Sequence, residues 1–237
     1  MESYEQFAPF YDAAMGDRKK SSNRLIEFIS KYNPNAKKVL ELACGTGRVL
    51  KNLPRKYEIY GLDLSRRMLA VAKINIPRAR LSRQNMVHFR LSEKFDVILC
   101  VFDSINHVLK FDDWEKLFVN TSKHLASGGI FIFDINTEKK LNRHISEPAW
   151  IHQLGNDFLS MKVSDGGNGV SVWNIKVFER VKGNKYLLHE EDIKEVSFPA
   201  PKIITALKRY FRKVDMIDTD ESHPTRKGER LYFICAK

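Results

Sequence analysis

Glu41, Ala43, Gly45, Gly47 and, farther on, Asp63 have the types and spacing to do one chemistry together. Val39, Leu40 and Leu42 form a short apolar run that stops at Ala43-Cys44-Gly45-Thr46-Gly47 and leads into Arg48–Leu53. Such a run reads as strand, tight loop, helix. The glycines let the backbone turn sharply and let a ligand approach it closely. The free N–H groups of the next helix face whatever polar group lies above the strand end. A second apolar run, Tyr57–Leu62, ends at Asp63, with Ser65 as the expected N-cap of the next helix. An acid at the end of the second strand, about twenty residues past a glycine loop, can accept hydrogen bonds from both hydroxyls of a ribose. The two segments together describe a place to hold a nucleoside-bearing cofactor.

Two cofactor classes share that geometry. A dinucleotide fingerprint needs a third glycine for close helix–strand packing, and Leu50 stands where it would be. The order Glu41-x-Ala43-x-Gly45-x-Gly47 instead resembles the first motif of class I S-adenosylmethionine-dependent methyltransferases, with alanine at the position most often glycine. Gln84-Asn85-Met86 resembles the family's third motif, where an acid usually lies near the adenine amine. Asn85 keeps an acceptor through its carbonyl oxygen, and Met86 offers a polarisable contact to the ring. Phe95-Asp96 and the following apolar strand resemble the family's fourth strand, and Phe7-Ala-Pro-Phe-Tyr11-Asp12 its aromatic N-terminal lid.

The resemblance implies S-adenosylmethionine as cofactor and S-adenosylhomocysteine as product. The implied cofactor site comprises Tyr11, Glu41, Ala43, Cys44, Gly45, Gly47, Asp63, Leu64, Met68, Asn85, Met86 and Phe102. On the acceptor side His107 is the general-base candidate, because imidazole titrates near neutral pH. Asp103 and Asp134 are candidates to bind or orient an amine, Asp134 being equally a turn former, and Tyr11 is a candidate to place an oxygen near the methyl group.

The positioning elements follow from periodicity. Ser21-Ser22 should cap a helix running to about Tyr32, and Pro9 should interrupt any regular pattern before it. Strands are expected at 38–42, 57–62, 79–84, 93–102 and 130–133, and helices at 46–53, 65–75 and 113–126, the last ended by Gly128-Gly129. Beyond residue 145 the period becomes two. Strands are expected at 149–154, 157–164, 170–181 and 186–197, with Gly183-Asn184 as a hairpin turn. A helix at 201–210 and strands at 213–219 and 230–236 close the chain. The expected fold is α/β: a doubly wound, mostly parallel seven-stranded sheet with a small antiparallel β insertion after the fifth strand. Residues 1–145 would form lid and cofactor-binding core, 146–199 a β-cap over the acceptor pocket, and 200–237 the closing elements.

The 237 residues are 43% apolar, enough for a core, and no stretch approaches the roughly 20 apolar residues needed to span a bilayer. The N-terminus lacks a signal-peptide pattern, so a cytoplasmic location is expected. Cys44, Cys100 and Cys235 lie far apart and the histidines show no ligand spacing, so neither a disulfide framework nor a metal is expected. The net charge of +11, with Arg78, Arg80, Arg83, His88 and Arg90 as its densest group, keeps RNA in view as a partner. The leading reading is methyl transfer to nitrogen or oxygen of a small molecule by a monomer or homodimer. The alternatives are an RNA methyltransferase, a nucleotide-cofactor oxidoreductase and a non-catalytic S-adenosylmethionine-binding protein.

Overall fold

A computed structural model describes residues 4–17, 19–218 and 227–237; position 219, expected to end a strand, and His223 lie outside the described residues. The strands of the main sheet are β1 (Lys38–Leu42), β2 (Glu58–Asp63), β3 (Arg80–Arg83), β4 (Phe95–Cys100), β5 (Leu125–Asn136), β10 (Lys213–Asp218) and β11 (Arg230–Ala236). Their order is β10-β11-β5-β4-β1-β2-β3. All pairings from β3 through β5 are parallel, and β11 runs antiparallel to both β5 and β10. The chain reverses direction across the sheet between β1 and β4, the crevice where doubly wound sheets bind ligands.

Alternation along each strand builds two cores. Leu40, Leu42, Ile98, Cys100, Phe131 and Phe133 face α5 (Phe111–His124) and α7 (Ala200–Leu207), packing on Trp114, Phe118, Ile203 and Leu207. Val39, Val97, Leu99, Ile130 and Ile132 face α2 (Lys19–Tyr32), α3 (Arg48–Asn52) and α4 (Arg66–Asn75), packing on Leu25, Ile29, Val49, Leu50 and Ala72. Burial on both faces explains why these strands read as unbroken apolar runs.

The second sheet is antiparallel: β6 (Trp150–Leu154), β7 (Asp157–Asp165), β8 (Val170–Lys182) and β9 (Lys185–Val196), in that order. Its inner face, Leu154, Leu159, Ile175, Val177 and Ile193, packs against Phe7 at the start of α1 (Ala8–Met15). Phe7 is 1% exposed, so this contact alone stabilises the seating of α1 by roughly 2–3 kcal/mol. The lid helix therefore lies between the antiparallel sheet and α4 of the main domain.

Four local expectations are corrected. The helix expected to start at Ser21-Ser22 begins at Lys19, whose amide donates to Asp17 Oδ1 at 2.9 Å; Ser22 is buried and accepts from Asn52 instead. Pro9 does not interrupt a pattern but opens α1, where its missing N–H costs no helical bond. Helix α5 ends at His124 and not at the glycines, because Leu125 is already extended and paired with Phe95 in the sheet. Gly128-Gly129 absorb the register shift that follows, Gly129 lying where a Cβ would sit 3.0 Å from Phe95 O. Finally, α6 (Glu138–Ser146) was not foreseen: it buries only Leu141, too little apolar surface to show a period.

Candidate functional site

A cavity of about 400 Å³ opens at the carboxyl ends of β1, β2 and β4. Its wall includes Tyr11, Ala43, Gly45, Asp63, Leu64, Met68, Asn85, Met86, Phe102 and His107. A recess of about 40 Å³ adjoins it, sharing Tyr11, Ala43, Gly45 and Phe102, and adds Glu41 and Cys44. The strand–loop–strand motif, the third-motif segment and the end of β4 thus converge, although up to about sixty residues separate them in sequence.

Backbone geometry at the floor is strained. Ala43 (φ 52°), Phe102 (φ 58°), Asp103 (φ 55°) and Tyr4 (φ 69°) are four of the five non-glycine residues with positive φ among those described. Such conformations cost on the order of 1–3 kcal/mol each and persist where surrounding bonds over-determine them. For Phe102 and Asp103 those bonds come from Asp134, whose carboxylate accepts their two amides at 2.6 and 3.1 Å.

Asp63 organises the loop. Its Oδ2 accepts from Gly45 N at 2.8 Å and its Oδ1 from Ser65 N at 2.9 Å, and Ser65 Oγ caps α4 by accepting from Met68 N. Burial pushes the Asp63 pKa up, and the amides of Ser65, Gly45 and Leu64 oppose that rise. Asp63 also lines the cavity, where its carboxylate can accept from the hydroxyls of a ligand. Glu41 is buried, its pKa raised by burial and by Asp63, and its Oε2 has no hydrogen-bond partner. A buried acceptor without a donor costs about 1–3 kcal/mol, and an ammonium group in the recess would satisfy it. These features fit a ligand that carries a ribose diol at one end and an α-ammonium group at the other, as S-adenosylmethionine does.

Four predicted residues stand elsewhere or already have partners. Gly47 lines neither cavity; at φ 78° a Cβ there would lie 2.6 Å from Ile76 Cδ1, so its smallness serves helix packing. Gly47→Ala is expected to lower unfolding free energy by about 2–3 kcal/mol, from strain and overpacking together. Urea denaturation checks this, and Gly47→Ala should cost less in an Ile76→Val background, which removes the methyl its Cβ would meet. Asp103 also lines neither cavity: it pairs with Arg230, which bonds Asp134 Oδ2 at 2.6 Å as well. Asp134 is fully buried, committed to Arg230 and two amides, and holds no acceptor. Burial works against the Arg230 charge, but Asp134 and Asp103 outweigh it and push its pKa further up. Asn85 lines the cavity with its Oδ1 already accepting from Val87 N at 2.8 Å, which leaves the oxygen's second lone pair and the amide N–H₂ for a ligand.

Sequence reasoning gave no role to Tyr4, Gln84 and Ser104, which also line the cavity, nor to the carboxylate network behind it. Asn106 is buried, donating to Asn136 O and Val196 O; Asn136 in turn donates to Glu195 Oε2 at 3.1 Å and accepts from Lys140 Nζ at 2.7 Å. Burial, with Asp103 nearby, pushes the Glu195 pKa up to about 8. Since the folded state holds this proton more tightly than the unfolded chain, its contribution to stability is full below pH 4.5 and is lost as pH rises through 8. Glu195→Gln is therefore expected to flatten that decline and to gain on the wild type as pH rises through 8, read from denaturation midpoints. The aromatic lid is clamped to the loop by Asp12: Thr46 Oγ1 donates to its Oδ1 at 2.6 Å, Asn75 Nδ2 to its Oδ2 at 3.1 Å, and Arg48 to its carbonyl.

Comparison with known proteins agrees with this geometry. Residues 39–129 match the methyltransferase-domain family. The structure of an S-adenosylmethionine-dependent methyltransferase from Clostridium acetobutylicum ATCC 824 superposes with a TM-score of 0.84 at 30% identity, covering 98% of both chains. YqeM of Bacillus subtilis (strain 168), which carries a methyltransferase name, is 24% identical over 99% of this chain and 97% of its own. The dTDP-3-amino-3,4,6-trideoxy-α-D-glucopyranose N,N-dimethyltransferase of Streptomyces venezuelae is 27% identical over 126 residues, 53% of each chain. The seven-stranded sheet, the glycine loop with its paired acid and a full-length relative at this identity lead to one conclusion: this chain belongs to the class I S-adenosylmethionine-dependent methyltransferases.

Proposed function

We propose that the protein methylates a small molecule, with an amine as the acceptor group. The observation that carries this reading is the cavity beneath the lid. Its about 400 Å³ lies under Tyr4 and Tyr11 of the lid and against His107, a volume suited to a cofactor and a compact acceptor. The acidic groups that line it and its recess, Asp63 and Glu41, favour a cationic ligand, and the matched sugar enzymes are named as N,N-dimethyltransferases. The chain spans about half the length of those sugar enzymes.

When bound, S-adenosylmethionine supplies a methyl group activated by its sulfonium. Asp63 would hold the ribose, Glu41 the ammonium group, and Asn85 with Met86 the adenine edge and face. Leu64 and Met68 would add apolar wall, and Ala43, Cys44, Gly45 and Phe102 the close floor. Orienting the acceptor against the methyl carbon can account for on the order of 7–11 kcal/mol of barrier reduction. The lid and the residues 146–199 above the site would exclude water, and His107 and Tyr11 would face the acceptor.

Three arginines of the densest basic group are engaged within the chain. Arg78 donates to Leu53 O and Tyr57 O, Arg80 to Tyr60 with Glu58 and Glu93 beside it, and Arg83 to Leu64 O. Among the described residues no helix is long and apolar enough to cross a membrane. The test is incubation with S-adenosylmethionine and a panel of dTDP-linked amino sugars, simple primary amines, sugar alcohols and bulk tRNA, with S-adenosylhomocysteine read by mass spectrometry. Turnover on an amine supports the reading. Methyl incorporation into tRNA alone overturns it.

A further inference from the structure

His107 has both ring nitrogens occupied. Nδ1 lies 3.1 Å from Lys194 O and Nε2 lies 3.1 Å from Tyr4 Oη. A carbonyl oxygen only accepts, so Nδ1 carries the proton. In the neutral ring Nε2 is then the basic nitrogen, and the Tyr4 hydroxyl donates to it. Tyr4 and His107 both line the cavity, their rings edge to face with centroids 5.5 Å apart. Burial, with Tyr11, Glu195, Asp103 and Asp63 nearby, raises the Tyr4 pKa well above the ordinary phenol value, so the hydroxyl keeps its proton.

Tyr4 sits in a left-handed backbone conformation just before the lid helix, a place where a tyrosine needs holding. One side chain does this. Glu191 on β9 accepts from the amides of Glu5, Gln6 and Phe7, at 3.1, 3.2 and 3.1 Å. These are the amides that open the lid, where a carboxylate is favoured by unpaired N–H groups and by the helix dipole. The strand that anchors His107 through Lys194 O therefore also anchors Tyr4, three residues earlier. No local sequence signal links positions 4, 107 and 191.

We propose that Tyr4 is a catalytic proton relay to His107 and that Glu191 positions it: Lys194 O keeps the proton on Nδ1, Glu191 seats the lid so that the Tyr4 hydroxyl meets the basic Nε2, and a proton from an acceptor amine reaches Nε2 across that hydroxyl. The step balances. The N–H bond of an acceptor ammonium breaks as its proton passes to Tyr4 Oη, and the Tyr4 proton passes to His107 Nε2. That leaves a neutral amine, an unchanged phenol and an imidazolium whose Nδ1–H stays on Lys194 O. This inference rests on the methyltransferase reading above, and its test separates the two.

Protein carrying ¹⁵N-labelled histidine, with His107 assigned through His107→Gln, reports the ring nitrogens directly. The wild type should show Nδ1 protonated and Nε2 as a hydrogen-bonded acceptor. Tyr4→Phe should move Nε2 toward its free-imidazole position with Nδ1 unchanged. Glu191→Ala should produce the same Nε2 shift although it touches neither ring, with faster hydrogen exchange at Glu5–Phe7, and Glu191→Gln should give back part of it. On the best amine of the panel above, Tyr4→Phe should lower kcat about 10²-fold with KM little changed. A wild-type Nε2–H tautomer, or an Nε2 signal indifferent to both Tyr4→Phe and Glu191→Ala, overturns the inference. Calorimetry of the wild type with S-adenosylmethionine, run beside it, shows whether the methyltransferase reading stands on its own.

Discussion

Asp63→Ala is expected to weaken S-adenosylmethionine binding by about 10²–10³-fold, measured by calorimetry. Two contributions add. The first is the loss of charge-assisted hydrogen bonds to the ribose hydroxyls, each worth roughly 1.5–3 kcal/mol. The second is the release of the Gly45 and Ser65 amides, which Asp63 holds at 2.8 and 2.9 Å and which shape the loop beneath the cofactor. Asp63→Asn keeps one acceptor oxygen and should fall between the two. A change below tenfold in the alanine variant would mean that the ribose is held elsewhere.

The second large effect is on stability. Asp134 is 0% exposed, pairs with Arg230 Nε at 2.6 Å and accepts two strained amides. Asp134→Ala would leave the mostly buried Arg230 guanidinium to its ion pair with Asp103 and two amides without the carboxylate that holds them. Breaking one side of a buried pair typically costs 3–5 kcal/mol, so the urea midpoint should drop accordingly. Adding Arg230→Met removes the stranded charge and should recover a large part of the loss. If the single variant costs less than about 1 kcal/mol, Asp134 is not what holds the end of β4 in place.

What could be read from the chain alone divides along a physical line. The glycine loop, Asp63 and the Ser65 cap are local devices: their residue types announce a turn, a close backbone approach and a helix start within a few positions. The central strands were legible because burial on both faces makes them continuous apolar runs, and the second sheet because one polar face imposes a period of two. The misplaced element ends had competing local solutions, such as Asp17 capping α2 ahead of Ser21-Ser22 and the pull of Leu125 into the sheet before Gly128.

The acceptor side was less legible because its pairings cross the chain. Tyr4 meets His107, Glu191 meets residues 5–7, Arg230 meets Asp103, and Glu195 meets Asn136. No spacing rule connects such positions. The same fact explains why Asp103 and Asp134 looked like free carboxylates: the arginine that occupies them lies on the last strand. Gly47 misled for a different reason. A glycine in a motif is required by whatever would meet its Cβ, and here that is Ile76, just past the end of α4.

The central claim is that one cavity, floored by residues 43–47 and walled by Asp63, holds the adenosyl group with the acceptor end toward His107. A crystal structure of the protein with S-adenosylhomocysteine tests it most directly. The account predicts both ribose hydroxyls within hydrogen-bond distance of Asp63, the ligand's ammonium in the recess beside Glu41, and its sulfur on the side of Tyr4 and His107. A ligand bound outside this cavity, or one lying in it with the ribose turned away from Asp63, would contradict it.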